Sequence, residues 1–133
     1  MGTEIAIPIQ HDVDVLTARK AARALAVELG FSSTDLALIA TAISEIARNI
    51  LHYAKRGAMT VEVLEERGRR GIVVTAKDDG PGIADVPQAM QDGYSTGKGL
   101  GLGLPGARRL MDEFSIESTV GIGTTIVMKK WTR

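Results

Sequence analysis

The chain has 133 residues, carries 16 Lys and Arg against 16 Asp and Glu for a formal net charge of zero, and contains no cysteine. That length suits one domain with a real core, and residues 1–133 read as a single unit. The charge balance offers no broad attraction to nucleic acid or an anionic membrane, and without cysteine there is no disulfide, thiolate metal site or cysteine nucleophile.

In chain order, Glu4–Ile9 alternates apolar with other residues and includes Pro8, which suits an edge strand. Asp12–Leu29 predicts a helix with Val15, Ala18, Ala22, Leu25, Ala26 and Leu29 on its apolar stripe, Asp12 or Asp14 as cap and Gly30 as stop. Ser32 or Ser33 opens a second helix to about Tyr53, with a seam of Leu36, Ile39, Ile43, Ile46 or Ala47, and Ile50. Strands are expected near Met59–Leu64 and Ile72–Lys77, joined by the basic turn Arg67-Gly68-Arg69-Arg70-Gly71, which reads as a solvated hairpin tip. Asp78–Gly97 has little periodicity and reads as a long loop with room for one short helical turn, a length usually tied to function or disorder. A third helix is expected over about Gly103–Glu113, then strands at Phe114–Thr119 and Thr124–Trp131 around the turn Gly121-Ile122-Gly123. Hairpins with helices gathered on one face make an α+β two-layer sandwich, with a mixed sheet of about five strands and three helices. The two histidines, His11 and His52, lie too far apart to suggest a zinc site. No basic-then-apolar leader opens the chain, and no apolar run approaches the roughly 20 residues of a membrane span, so a cytoplasmic protein without membrane or nucleic-acid partners is expected.

Chemistry-bearing residues fall into four groups. Glu45 and Asn49 share a helix face, about 100–180° around from most of the apolar seam. A carboxylate and an amide one turn apart suit a divalent cation or a reacting water; taken alone, they read better as two surface residues. Lys77-Asp78-Asp79-Gly80-Pro81-Gly82-Ile83 ends an apolar strand, and alone it is a tight turn. If it serves a ligand, its carboxylate could accept from an exocyclic amine such as adenine N6. Gly97-Lys98-Gly99-Leu100-Gly101-Leu102-Gly103-Leu104-Pro105-Gly106 concentrates glycine ahead of a helix N-terminus, an arrangement that favours phosphate. Gly101–Gly106 satisfies G-x-G-x-x-G but has no preceding strand and no acid about 20 residues on, which excludes a dinucleotide fold. Gly93–Lys98 fails as a P-loop, because its first glycine is one residue too close and Gly99 stands where Ser or Thr belongs. A glycine-hinged lid leading into a helix remains.

In order, Glu45…Asn49, Asp78-x-Gly80-x-Gly82, Gly99-x-Gly101-x-Gly103 and Gly123-Thr124 form a set that resembles the Bergerat ATP-binding fold of the GHKL superfamily, over nearly the whole chain. Within that superfamily, Ala42-Ile43-Ser44-Glu45-Ile46-Ala47-Arg48-Asn49-Ile50 is similar to the small serine kinases of anti-sigma and stressosome switches. So are Asp92-Gly93 through Gly103-Leu104-Pro105-Gly106 and the following Arg109-Leu110-Met111-Asp112-Glu113-Phe114. The resemblance implies ATP and Mg2+ as cofactors, with Asn49 holding Mg2+ and Glu45 acting as catalytic base toward the acceptor hydroxyl. It implies Asp78 on adenine N6 with support from Thr124, Gly80 and Gly82 against the base, and Gly99, Gly101 and Gly103 donating backbone N–H groups to phosphate. Lys98 is a phosphate contact or a solvated lysine, and Arg48 a charge neutraliser or a surface ion pair. The implied activity is a protein serine/threonine kinase acting on RsbS- and RsbR-like STAS-domain proteins, which also sequester it. Once released, it would activate an RsbU-like PP2C-type phosphatase. The alternatives are an anti-sigma factor kinase that binds a sigma factor directly, or a detached histidine-kinase catalytic domain.

Overall fold

The computed structural model describes residues 4–90 and 103–133. After β1 (Glu4–Ile9) come two helices, α1 (Asp12–Leu29) and α2 (Ser33–Asn49). The Asp14 carboxylate reaches back to accept from the backbone N–H groups of Gln10 at 2.8 Å and His11 at 2.9 Å, which satisfies donors that a helix start leaves open. Those two bonds, the one to Gln10 foremost, hold the Asp14 carboxyl below its ordinary range. Gly30 closes α1 at a φ of 91°, and Ser32 Oγ accepts from Asp35 N at 3.1 Å to open α2. The sequence pattern carries this second helix to Tyr53. The structure instead ends α2 at Asn49 and continues through Ile50–Ala54 as one π-helical turn, a widening often found at functional sites.

β2 (Gly57–Glu66) and β3 (Arg69–Asp78) extend beyond the expected strands because the turn between them is only Arg67-Gly68. Their φ values of 52° and 80° suit the hairpin turn whose twist matches its strands. Arg69 therefore belongs to β3, and its guanidinium lies 4.1 Å from the Trp131 ring centroid. That indole also donates to Glu113 Oε2 at 2.9 Å.

The short α3 (Val86–Ala89) and then α4 (Gly103–Leu110) lead to β4 (Glu113–Thr119) and β5 (Gly123–Trp131). α4 ends three residues before the expected Glu113, because Lys130 Nζ donates to Leu110 O at 2.7 Å and Asp112 N–H pairs with Lys129 O at 2.9 Å as the chain enters the sheet. The strand order is β1-β2-β3-β5-β4, with every neighbouring pair antiparallel. The expected mixed sheet is thus corrected to an antiparallel one. α4 returns the chain so that β3 and β4 run the same way, but β5 folds back from β4 and inserts between them.

Strand side chains alternate between faces. Ile7, Ile9, Met59, Val61, Ile72, Val74, Ile126 and Met128 point to one face and join Ala18, Ala22, Leu25, Ile39, Ile43, Ile46, Leu104 and Ala107 in one buried core. Each of the Val, Leu, Ile and Met side chains among these contributes about 1.5–3 kcal/mol by leaving water. This core backs the end of the sheet at which β3 stops and β5 starts. Among the described residues, no helix is long and apolar enough to cross a membrane.

Candidate functional site

One cross-strand row organises the site. Ile9, Gly57, Asp78, Thr124 and Ser118 are register partners across β1, β2, β3, β5 and β4. Parity along each strand puts all five positions on the helix-facing side. Asp78 Oδ1 accepts from Gly80 N at 2.9 Å; among the described residues Oδ2 has no hydrogen-bond partner. Thr124 is 7% exposed, and its hydroxyl lies 2.7 Å from Ser118 Oγ.

Two glycines let the chain close around this row. A Cβ on Gly123, at φ 146°, would lie 2.1 Å from Asp78 O, and one on Gly82, at φ 79°, would lie 2.3 Å from Thr119 O. Any other residue at either position would meet backbone and adopt an unfavourable φ.

A cavity of about 260 Å³ opens above the row. Asp78, Gly82, Ile83 and Thr124 line it from the sheet side, and Asn49, Tyr53, Ala54, Ala89, Gly103 and Leu104 from the helices. The π-helical turn is what brings Tyr53 and Ala54 onto this wall. Apolar walls with a few fixed polar groups are the usual make-up of a small-molecule site. Of the residues singled out in the sequence, Asn49, Asp78, Gly82, Gly103 and Thr124 therefore meet at one cavity, with Gly80 bonded to Asp78 beside it. Lys98, Gly99 and Gly101 lie outside the described residues.

Glu45 is placed differently. It sits one helical turn before Asn49 and does not line the cavity. Its Oε1 accepts from Gly103 N at 3.1 Å, and its Oε2 lies 3.6 Å from Arg48 Nη1. The side chain of Glu45 is 12% exposed and that of Arg48 58%, so Arg48 forms a surface ion pair with Glu45. A carboxylate at the start of α4 and the Lys130 ammonium at its end both complement the helix dipole. Around Asn49 the described residues hold no cluster of three His, Cys, Asp or Glu. A cation here would take one amide oxygen from the protein and the rest from phosphate and water, a donor set that fits Mg2+.

Sequence reading missed Ser118, Ile83 and the cavity-facing Tyr53 and Ala54. A signal for Ser118 was present: Phe114, Ile116 and Ser118 alternate along β4, which makes Ser118 a polar residue at an inward position.

The chain matches the histidine kinase-like ATPase domain family over residues 9–130. It is 48% identical to the serine/threonine-protein kinase RsbT of Bacillus subtilis (strain 168) over 133 residues, which is all of both chains. It is 36% identical over 118 residues to an anti-sigma F factor of Clostridium novyi (strain NT), covering 85% of this chain and 82% of that one. A further anti-sigma F factor, from Caldanaerobacter subterraneus, is 34% identical over 122 residues, 86% of this chain and 82% of its own. The solved structure of the RsbU and RsbW domains of a Mycobacterium tuberculosis protein shares the fold at a TM-score of 0.66 and 21% identity. That match takes in 100% of this chain and 33% of the other. With the antiparallel sheet, the Asp78–Thr124 row and a match to nearly its whole length, the chain belongs to the histidine kinase-like ATPase domain family.

Proposed function

We propose that this chain is an ATP- and Mg2+-dependent protein-serine/threonine kinase of a partner-switching system. It is one domain over residues 1–133, works in the cytoplasm, phosphorylates STAS-domain proteins that also sequester it, and activates a PP2C-type phosphatase when released. The observation that carries this reading is the meeting of Asn49, Asp78, Gly82, Gly103 and Thr124 at one cavity, in a chain that aligns end to end with a serine/threonine kinase.

In this reading adenine lies at the Asp78 end. Asp78 Oδ2 accepts from N6–H, Thr124 supports the contact directly or through water, and Gly80 and Gly82 face the base. The phosphates run toward Asn49 and the N-terminus of α4, whose dipole favours anions. Asn49 would hold Mg2+, which when bound would neutralise phosphate charge. The acceptor serine oxygen bonds to the γ-phosphorus while the bond to the β–γ bridging oxygen breaks, and ADP leaves. The serine proton passes to Glu45, which retains lone pairs for it beyond the one taken by Gly103 N–H.

The test is incubation of the purified protein with MgATP and candidate STAS-domain proteins. Acid-stable phosphoserine on the partner, lost in Glu45→Ala, is the expected result; no labelling of any partner, or equal labelling by the variant, overturns the assignment. Similarity to two anti-sigma F factors over more than four-fifths of the chain favours a second reading, direct binding of a sigma factor. ATP-dependent retention of a sigma factor on the immobilised protein decides for it.

A further inference from the structure

We propose that Ser118 is a positioning residue for base recognition. It orients the Thr124 hydroxyl and pins the loop at Ile83, so that the site prefers adenine to guanine. The proposal rests on the ATP reading above and extends it to a residue that none of the nucleotide-binding motifs contains.

Ser118 closes the row Asp78–Thr124–Ser118 across β3, β5 and β4. A serine hydroxyl has one proton and two lone pairs. Ile83 N–H takes one lone pair at 2.7 Å, tethering the loop that carries Gly80 and Gly82 to β4. The proton has two destinations, the Thr124 hydroxyl at 2.7 Å and the Gly123 carbonyl at 3.2 Å. The first is the usual length for a hydroxyl–oxygen bond and the second lies beyond its usual range. The 2.7 Å contact forms whichever hydroxyl donates, and in the proposed arrangement the donor is Ser118. That leaves the Thr124 proton free to point into the cavity that both Thr124 and Ile83 line. Were the proton on Gly123 instead, Thr124 would have to donate to Ser118 and would show the cavity lone pairs alone.

With the Ser118 proton on Thr124, the row presents an acceptor at Asp78 and, one strand over, a donor at Thr124. The Watson–Crick edge of adenine carries an amino donor beside a ring-nitrogen acceptor, N1, and meets that order directly or through one water. Guanine reverses it, with a carbonyl beside a ring N–H.

The test uses the full chain, titrated with ATP, GTP and 1-deaza-ATP, in which C–H replaces N1. Wild type is compared with Ser118→Ala and with Ser118→Thr, which keeps the hydroxyl. Ser118→Cys, of similar volume and a poor donor, replaces Ser118→Ala if that variant does not fold. Ser118→Ala is expected to weaken ATP about five- to tenfold, the effect of one hydrogen bond. It should also narrow the preference over GTP and weaken 1-deaza-ATP clearly less than ATP, because only the loop tether then matters; Ser118→Thr should restore ATP binding. Equal losses for ATP and 1-deaza-ATP would show that Ser118 only supports the loop, and unchanged ATP affinity would show that it does neither; both overturn the proposal. A wild-type protein that binds no ATP sinks the ATP reading itself and this inference with it, whereas one that binds ATP and GTP alike overturns this inference alone.

Discussion

The backbone N–H of Gly103 donates to Glu45 Oε1 at 3.1 Å, joining residues 58 apart in the chain. The contact fixes the start of α4 against α2, one helical turn from Asn49, while Lys130 holds the other end of α4 through Leu110 O. Glu45 thus serves as an acceptor for the helix start and, in the proposed mechanism, as a base for the acceptor hydroxyl. Glu45→Gln keeps an oxygen for Gly103 but cannot take a proton. Phosphotransfer is expected to fall about 10²- to 10⁴-fold with ATP affinity little changed. Glu45→Ala should in addition lower stability by about 1 kcal/mol, as loss of a helix-start acceptor does. Single-turnover phosphorylation with parallel urea unfolding separates the two; a Gln variant as active as wild type removes Glu45 from catalysis.

Asp78→Asn tests the base end. The amide oxygen can still accept from Gly80 N–H, now at 2.9 Å from Oδ1, so the turn should survive. The charged acceptor facing the cavity is lost, and a hydrogen bond to a charged group is worth about 1.5–3 kcal/mol. ATP affinity should fall by roughly one to two orders of magnitude at nearly constant stability. Calorimetric titration reads it directly, and a variant that binds ATP like wild type would contradict the placement of adenine at Asp78.

Two glycines of the β4–β5 turn give a matched pair. Gly121 has φ 82° with nothing within 4 Å of an added Cβ, whereas a Cβ on Gly123, at φ 146°, would lie 2.1 Å from Asp78 O. Gly121→Ala should cost about 1 kcal/mol from backbone conformation alone. Gly123→Ala should cost about 3 kcal/mol and also weaken ATP, since relief of the clash must move Asp78. Equal effects of the two substitutions in unfolding and binding assays would refute the close approach.

Acid sensitivity should trace in part to Asp112. Burial would raise its pKa, but the Trp131 N–H, the Arg133 guanidinium and the Lys130 ammonium outweigh burial and hold the carboxyl below its ordinary range. A carboxyl that ionises at lower pH when folded stabilises the fold fully above the ordinary value. That contribution is lost as pH falls below about 4 through the folded value. Asp112→Asn should therefore be less stable than wild type at pH 7 and converge with it progressively as pH falls below about 4. Denaturant midpoints across that range check it; parallel curves for the two proteins would rule out Asp112 as a contributor.

Much of the fold is legible because it rests on short-range physics. The three- and four-residue spacing of Leu36, Ile39, Ile43 and Ile50 requires a helix, alternation through Met59, Val61, Ile72 and Val74 requires strands, and Gly30 requires a stop. The candidate site is legible for a different reason. Asn49, Asp78, Gly82, Gly103 and Thr124 stand at helix ends, strand ends and turns, and it is their order along the chain, through a family resemblance, that marks them before any packing is known.

By itself, then, the sequence determined which segments are helix and strand, which residues carry chemistry, and the family they spell. Only the tertiary structure decided what those residues face. The insertion of β5 between β3 and β4 makes the sheet antiparallel and brings Asp78, Thr124 and Ser118 into one row. Periodicity of two puts Ser118 on the inner face but cannot say which strand lies beside it. The π-helical turn after Asn49 and the Glu45–Gly103 bond depend likewise on helices meeting across long stretches of chain. Such contacts form where long-range packing offsets the entropy of closing those loops, and no local pattern encodes that balance.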